Sequence, residues 1–301
     1  MRDFSDSLIS RRILVSDGAM GTVLFEKGLK PGDCPEALNL SHPGIIRAVA
    51  STYSTAGADI IQTNTFGGSP IKLAEYGLSE KTEEINRLAV QYVRESVSSD
   101  VIVSGSCGPS GKLLEPYGDG KPEEIEAGFV RQIRSLIESG ADVICIETMI
   151  DLQEALLAVA AARSVSTEIP VMATMTFDKT PRGYFTIMGV SIADAIAGLR
   201  AAGADVVGSN CGNGLDKMIE IAQEFKQLTT LPIIIQSNAG QPELSDGKLV
   251  YRETPDYFAE RIHKLVTIDV AVIGGCCGTT PEHIQVIRRI VDIHNRKLMV
   301  S

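Results

Sequence analysis

One pattern repeats eight times along the chain: a short apolar run, a glycine-rich or polar turn, and an amphipathic stretch with helical spacing. The apolar runs are rich in β-branched residues and do not alternate with polar ones, which is typical of strands buried in a parallel sheet. The predicted strands are 13–16, 59–63, 101–104, 142–146, 171–174, 205–208, 232–236 and 270–273.

The stretches between these runs have apolar residues every three to four positions, which predicts helices. The predicted helices are 43–56, 80–97, 122–139, 152–165, 192–202, 215–228, 255–266 and 281–295. Thr254-Pro and Thr280-Pro are helix-start signals, a capping threonine followed by proline in the first turn. Three helices run into the same tripeptide, Gly-Ala-Asp, so glycine is expected to end the helix immediately before the next strand.

Eight such units in 301 residues predict an α/β protein with a single (β/α)8 TIM-type barrel. The alternative is a doubly wound open sheet, which usually has fewer strands. No Pro/Ser-rich linker or charge block marks a boundary, so we expect one barrel domain over 13–297 after an N-terminal lead-in of residues 1–12. Asp246-Gly247 predicts a small hairpin within 241–252, after the seventh strand.

Composition excludes several functional classes. Hydrophobic residues make up 44% of the chain, which is enough for a large core. The net charge of −10 argues against binding to nucleic acid or to an anionic membrane surface. Because no apolar run approaches the ~18 residues of a membrane span and no secretion signal opens the chain, we expect a cytoplasmic protein.

The six cysteines are too few for a disulfide scaffold. Cys211 follows the sixth predicted strand, and the adjacent Cys276 and Cys277 follow the eighth. In a barrel these two strands are separated by one strand, the seventh. Active sites form at the carboxyl ends of barrel strands. The three thiols are therefore candidate ligands of one metal ion, whereas Cys107 and Cys145 are expected in the core.

Three cysteines without a Cys-x-x-Cys pair do not resemble a structural zinc clip, which usually has four protein ligands at short spacings. A soft set of three sulfurs selects zinc over magnesium or calcium and leaves one position open. Such a site suits alkylation of an incoming thiol better than hydrolysis of a carbonyl. The alternative is that Cys276 and Cys277 are small buried residues of a glycine-rich turn.

Three motifs carry a family resemblance: Asp17-Gly-Ala-Met-Gly-Thr, Asn210-Cys, and the highly specific Gly274-Gly-Cys-Cys-Gly-Thr-Thr-Pro. Together with Gln62-Thr-Asn-Thr-Phe and Asn238-Ala-Gly-Gln-Pro, they resemble the homocysteine S-methyltransferase family. The chain is most similar to the homocysteine-binding module of cobalamin-dependent methionine synthases, from about residue 13 to 293.

The resemblance implies a zinc-dependent barrel with Cys211, Cys276 and Cys277 as ligands. It places the homocysteine site on Asp17, Gly18 and Ala19 and on Glu147. A glycine turn suits the substrate carboxylate, and a strand-end carboxylate suits its ammonium. For Asp17 the alternative is a turn residue that bonds its own backbone. Asn238 is expected to contact the metal before substrate arrives, or else to serve as an asparagine in a glycine turn.

The resemblance further implies transfer of a methyl group to homocysteine to form methionine, with no catalytic side chain beyond the zinc ligands. The donor is expected to be methylcobalamin on a separate corrinoid protein that binds transiently. The segment 182–190 departs from the family pattern, which leaves donor identity open. One alternative is S-methylmethionine or another small donor, and a second is a non-catalytic barrel that binds zinc or thiols.

Overall fold

Eight parallel strands form one sheet in which neighbours in space are also consecutive along the chain. The computed structural model describes residues 4–245 and 248–298. The strands are β1 Leu14–Val15, β2 Ile60–Gln62, β3 Ile102–Cys107, β4 Val143–Met149, β5 Val171–Met175, β6 Val206–Asn210, β7 Ile233–Ser237 and β8 Val272–Gly275. Each overlaps one of the eight predicted runs, and several extend beyond it at the carboxyl end.

The sheet closes on itself. Strand β1 pairs with β8 through Leu14 and Val272, and it meets β2 through a parallel bridge between Ser16 and Ile60. The backbone N–H of Asp59 also donates to the carbonyl of Val15 at 2.7 Å. A closed ring of eight strands confirms the TIM-type barrel, and the open-sheet alternative is wrong.

Eight helices surround the ring. They are α1 Pro43–Thr55, α2 Thr82–Ser96, α3 Pro122–Glu138, α4 Leu152–Val165, α5 Ile192–Ala202, α6 Leu215–Leu228, α7 Pro255–Ile268 and α8 Pro281–Leu298. Each buries one face, as α2 does with Ala89, Val90 and Val93. Among the described helices, none has both the length and the apolar character that crossing a membrane requires.

Shorter elements occupy the loops and the N-terminal segment. The helices are Phe4–Ile9, Met20–Glu26, Leu38–Ser41 and Pro70–Ala74, and the 3-10 turns are Pro35–Ala37 and Ser79–Lys81. Strand Asp178–Thr180 pairs with Gly183–Phe185 in a hairpin that the sequence did not predict. Strand Glu243–Ser245 pairs with Lys248–Val250, which confirms the predicted hairpin, although Asp246-Gly247 itself lies outside the described residues.

The expected helix ends are confirmed at all three Gly-Ala-Asp sites. Gly57, Gly140 and Gly203 have φ values of 97°, 95° and 103°, in the left-handed region that glycine adopts without steric cost. Each of these three helices therefore ends one or two residues before its glycine. These tight connections lie at the end of the barrel opposite the carboxyl ends of the strands, while the long ones surround those carboxyl ends.

The barrel interior changes character along its axis. Its lower part is apolar, with Leu14, Ile60 and Met172 among the inward residues, and Phe4 of the N-terminal helix packs against them from below. Higher up, Gln62, Thr174 and other buried polar side chains replace them; the rest are Ser16, Ser104, Asn210 and Gln236. The interior is thus polar at the carboxyl ends of the strands and apolar at the opposite end.

Candidate metal and substrate site

The sulfur atoms of Cys211, Cys276 and Cys277 all lie within 4.8 Å of one another. Cys211 and Cys277 are 3.8 Å apart, sulfur to sulfur. In a tetrahedral site with zinc–sulfur bonds of about 2.3 Å, neighbouring sulfurs would be about 3.8 Å apart. No other group of three histidine, cysteine, aspartate or glutamate side chains comes this close together in the described part of the chain.

Strand β7 lies between the two cysteine-bearing strands and holds both ends. The N–H of Cys211 donates to the carbonyl of Gln236 at 3.1 Å, and the N–H of Cys276 donates to the carbonyl of Ser237 at 2.7 Å. Cys211 has a left-handed backbone, with φ 58°, which non-glycine residues rarely adopt. Tight backbone bonding therefore fixes the direction of its side chain.

The cluster is electrostatically suited to a cation. Hydrogen bonds from the Cys276 and Cys277 thiols lower the pKa of Cys211, and the Asn238 side chain adds to this effect. The Cys211 thiolate in turn raises the pKa of Cys276 and of Cys277. One negative charge is thus favoured and further charges are opposed, so three thiolates together need a bound cation to balance them.

Asn238 lies beside the cluster and is a further candidate metal ligand. Its side chain is 3% exposed, and its Oδ1 atom has no hydrogen-bond partner among the residues that the structure describes. Its backbone N–H donates to the carbonyl of Asn213, which fixes the residue in the turn after β7. The Asn238 side chain interacts with Cys211. Because buried polar atoms usually have partners, an unpaired oxygen on this side chain fits a metal site.

Glu147 lies at the end of β4 and faces the polar part of the interior. Its carboxylate accepts hydrogen bonds from the Ser106 hydroxyl, at 2.5 Å, and from the Asn210 side-chain amide, at 3.2 Å. Burial raises the pKa of Glu147 to about 7. Both donors are neutral, and within the described ranges no Lys, Arg or His side chain forms an ion pair with this carboxylate. It is therefore suited to bind a cation.

Asp17 points a different way from the other predicted substrate residues. Its carboxylate accepts from the backbone N–H of Gln62 at 2.9 Å and from the Ser16 hydroxyl at 3.2 Å. Burial raises the pKa of Asp17 to about 7. Gly18 and Ala19 line the cavity, whereas the Asp17 side chain lies behind them and braces the turn.

A cavity of about 250 Å³ connects these groups. The turn at Gly18 and Ala19, the Glu147 carboxylate and the three cysteines form different parts of its wall. A side chain at position 18 would come within 2.7 Å of the Thr279 hydroxyl, which explains why glycine is required there. The volume is of the size of an amino acid, given that drug-sized pockets are about 300–1,000 Å³.

Several residues in or behind the cavity wall were missed by the sequence reasoning. Asn210, the residue before Cys211, donates its side-chain amide to the Glu147 carboxylate. Its Oδ1 atom accepts from the Thr148 backbone N–H at 2.8 Å. Its position in a resemblance motif was a signal, but the motif assigned it no role. Glu36 and Phe66 come from the first two long loops, and only the folded chain brings them to the cavity.

Other candidates lie away from the site, as expected. Cys107 and Cys145 are fully buried in the core, and burial raises the pKa of each thiol. His283 is buried in the first turn of α8, where its ring bonds the Glu253 carbonyl and the Thr280 backbone N–H. None of the residues lining the cavity is a histidine.

Comparisons with known proteins agree with this arrangement. The model of the family described as homocysteine S-methyltransferase matches residues 14–291. Methionine synthase from Mycobacterium leprae (strain TN) is 30% identical over 300 residues, covering 94% of this chain and 24% of that protein. Methionine synthase from Mycobacterium tuberculosis (strain ATCC 25618 / H37Rv) is 30% identical over 312 residues, covering 98% and 26%. The chain spans about a quarter of the length of these relatives.

Solved structures show the same fold. The metallated form of the homocysteine methyltransferase MmuM from Escherichia coli has a TM-score of 0.77 at 24% identity, covering 94% of this chain and 97% of that one. The carboxyl transferase domain of Rhizobium etli pyruvate carboxylase has a TM-score of 0.55 at 14% identity, covering 98% and 50%. At these identities the likeness concerns the barrel alone.

Proposed function

The chain belongs to the homocysteine S-methyltransferase family, and we propose that it transfers a methyl group to the thiol of homocysteine to form methionine. The observation that carries this proposal is that three cysteine sulfurs converge on an amino-acid-sized cavity. The Glu147 carboxylate also lines this cavity. Such a substrate needs a soft metal for its sulfur and polar groups for its ammonium and carboxylate.

In this proposal Cys211, Cys276 and Cys277 would hold one zinc ion, and the Asn238 side chain at Cys211 would be available to the metal. Zinc, when bound, lowers the pKa of an incoming thiol so that the substrate reacts as a thiolate at neutral pH. Three anionic ligands would keep that thiolate nucleophilic. A reducing compartment such as the cytoplasm keeps the cysteines available as ligands.

Glu147 binds the substrate ammonium, and the turn of Asp17, Gly18 and Ala19 receives its carboxylate. In this arrangement Ser106 and Asn210 orient the Glu147 carboxylate, while Asp17 braces the turn from behind. No side chain is needed as a general base at the moment of transfer. The absence of histidine from the cavity lining supports this assignment.

Methylcobalamin on a separate corrinoid protein is the proposed methyl donor. The relatives named methionine synthase support it, since this chain matches about a quarter of each. The rim of the mouth also exposes apolar side chains, with Phe66 43%, Tyr117 77% and Ile187 76% exposed. An apolar rim suits transient docking of a bulky donor.

The second candidate donor is a small molecule such as S-methylmethionine. The observation favouring it is that the barrel alone covers 97% of the chain of the E. coli homocysteine methyltransferase MmuM. A third possibility is a barrel that binds zinc or thiols without turnover. These three functions share the same cysteine site and differ in what they do with homocysteine.

A screen of methyl donors separates the three. Zinc-loaded protein is incubated with homocysteine and with free methylcobalamin, corrinoid-bound methylcobalamin or S-methylmethionine, and methionine is measured. We expect turnover with methylcobalamin, faster in the protein-bound form. Turnover with S-methylmethionine alone would replace the donor assignment, and no methionine from any donor would overturn the proposed activity.

Calorimetry tests the thiolate directly. Homocysteine binding at about pH 7 should release close to one proton, because a free thiol has a pKa near 8.5 and binds as a thiolate. The release is measured by comparing buffers with different ionisation enthalpies. Binding without proton release would mean that the thiol does not bind as a metal ligand.

A further inference from the structure

Tyr251, in the loop between β7 and α7, packs against the residue that follows the cysteine pair. A side chain built at Gly278 would lie 2.1 Å from the Tyr251 Cγ atom, so the aromatic ring lies directly on the Gly278 backbone. Gly278 also has a φ of 78°, in the region where glycine is favoured. The sequence places these two residues 27 positions apart, and only the fold joins them.

From this position the Tyr251 hydroxyl lies within interaction range of the Cys277 sulfur. A phenol keeps its proton at neutral pH, so the Tyr251 hydroxyl is the donor and the sulfur is the acceptor. A sulfur that accepts a hydrogen bond carries less negative charge of its own.

The segment that carries Tyr251 is fixed to all of the loops that form the cluster. Two residues later, the Glu253 carboxylate accepts from the backbone N–H of Leu215 at 2.8 Å, at the start of α6. The Glu253 backbone N–H donates to Ala239 at 2.9 Å, and its carbonyl bonds His283 Nε2 at 2.9 Å. The Ala239 N–H in turn donates to the carbonyl of Cys277 at 3.0 Å.

We propose that Tyr251 is a positioning residue for the metal site, holding Cys277 in its ligating orientation through a hydrogen bond to sulfur while its ring covers Gly278. This inference rests on the proposed function, because it takes the three cysteines as metal ligands. Groups that bond metal ligands from outside orient them and tune their donor strength. Three thiolates around one divalent ion leave a net charge of about −1, which an O–H donor stabilises.

The test replaces Tyr251 by phenylalanine, which keeps the ring on Gly278 and removes only the hydroxyl. We expect Tyr251→Phe to weaken zinc binding by roughly 10–100-fold, the usual effect of losing a partner of a metal ligand. Zinc affinity is measured by competition with a chelator. In the cobalt(II)-loaded protein, the sulfur-to-metal charge-transfer band should move to lower energy, because the sulfur loses its hydrogen bond.

Tyr257→Phe is the matched control. Tyr257 lies in the same region, in the first turn of α7, and its hydroxyl donates to Asp216 rather than to a cysteine. It should retain the zinc affinity and the cobalt spectrum of the unaltered protein. An unaltered affinity and spectrum in Tyr251→Phe would overturn the role of the hydroxyl while leaving the proposed function intact. Failure of the unaltered protein to bind either metal would overturn both proposals.

Discussion

Cys211 occupies a backbone conformation that costs of order 1–3 kcal/mol for a residue with a side chain. Its neighbours compensate for that cost. Asn210 is bonded to Glu147 and to the Thr148 backbone N–H, and the Cys211 N–H is bonded to Gln236. Cys211, Glu147 and Asn210 are therefore held in one hydrogen-bonded group. We expect single substitutions in this group to affect function more than stability.

Cys276→Ala is expected to remove most of the bound zinc and the methyl transfer activity. The barrel should stay folded, because the cysteines lie at the strand ends above the core. Metal analysis after gel filtration measures the zinc, and circular dichroism checks the fold. Full retention of zinc by Cys276→Ala would contradict the ligand assignment. Cys107→Ser, in the buried core, should lose stability without losing zinc.

Glu147→Gln keeps the shape of the side chain and removes its charge. It should weaken homocysteine binding by roughly 1.5–3 kcal/mol, the scale of a hydrogen bond to a charged group. Calorimetry with homocysteine and with a simple thiol lacking the amino group measures the difference. The simple thiol should be hardly affected. An equal loss for both ligands would mean that Glu147 supports the metal or the fold instead.

The raised pKa of Glu147 predicts how binding depends on pH. Because burial raises this pKa to about 7, the carboxyl becomes neutral as the pH falls below that value. The substrate ammonium keeps its charge in this range, so affinity should fall by about tenfold for each pH unit below the pKa. Methionine is the suitable probe, because it has no thiol to ionise. Its binding to Glu147→Gln should vary much less with pH.

At the scale of secondary structure elements, the helix-to-strand and strand-to-helix connections differ in length and in the residues they contain. Connections from helix to strand are short, and in three of them a glycine ends the helix. Connections from strand to helix are long and contain the site residues. Glu36 and Phe66 belong to the long connections, and Gly57 and Gly140 belong to the short ones. Changes in the short connections should therefore alter stability and leave the cavity unchanged.

Gly57→Ala and Gly140→Ala form a matched pair, with φ values of 97° and 95°. At Gly140 no atom lies within 4 Å of the added carbon, so only backbone strain applies, about 1–2 kcal/mol. At Gly57 the added carbon lies 2.7 Å from Arg288 Cγ, and Arg288 pairs with the buried Asp59 at 2.6 Å. Urea unfolding should show the larger loss for Gly57→Ala. Equal losses would mean that Arg288 moves aside freely.

At the scale of the whole molecule, the barrel separates stability from chemistry along its axis. Phe4 packs against the apolar lower interior, and the three cysteines lie at the opposite end. Residues at the lower end of such barrels serve stability, while those at the strand carboxyl ends serve function. The N-terminal lead-in of the sequence prediction thus contains a residue that packs into the barrel itself.

Phe4→Ala should lower the free energy of unfolding by roughly 3 kcal/mol, the scale for loss of a buried phenylalanine side chain. Zinc content per folded chain should not change, because the site lies at the other end. Chemical unfolding and metal analysis measure the two quantities. Ile9→Ala, on the same helix but at a position 81% exposed, is the control. Loss of zinc in folded Phe4→Ala would show that the two ends are coupled.

The sequence by itself determined the eight strands, the eight helices and the strand ends that carry Cys211, Cys276 and Cys277. It did so because strand and helix periodicity and glycine-ended helices are local signals. Barrel topology then brings every strand end to one face. The assignment of Glu147 to substrate also came from the sequence, through resemblance and strand position, and it stays a prediction.

Only the tertiary structure decided which way the side chains turn and which distant residues meet them. It directed the Asp17 carboxylate to the Gln62 backbone rather than into the cavity, and it placed Tyr251 on Gly278. The segment 178–185 folded into a hairpin that the sequence analysis missed, although Pro181 and Gly183 at its turn are a local signal. Side-chain direction depends on hydrogen bonds and packing from residues far away in the chain, whereas periodicity records only the burial of one face.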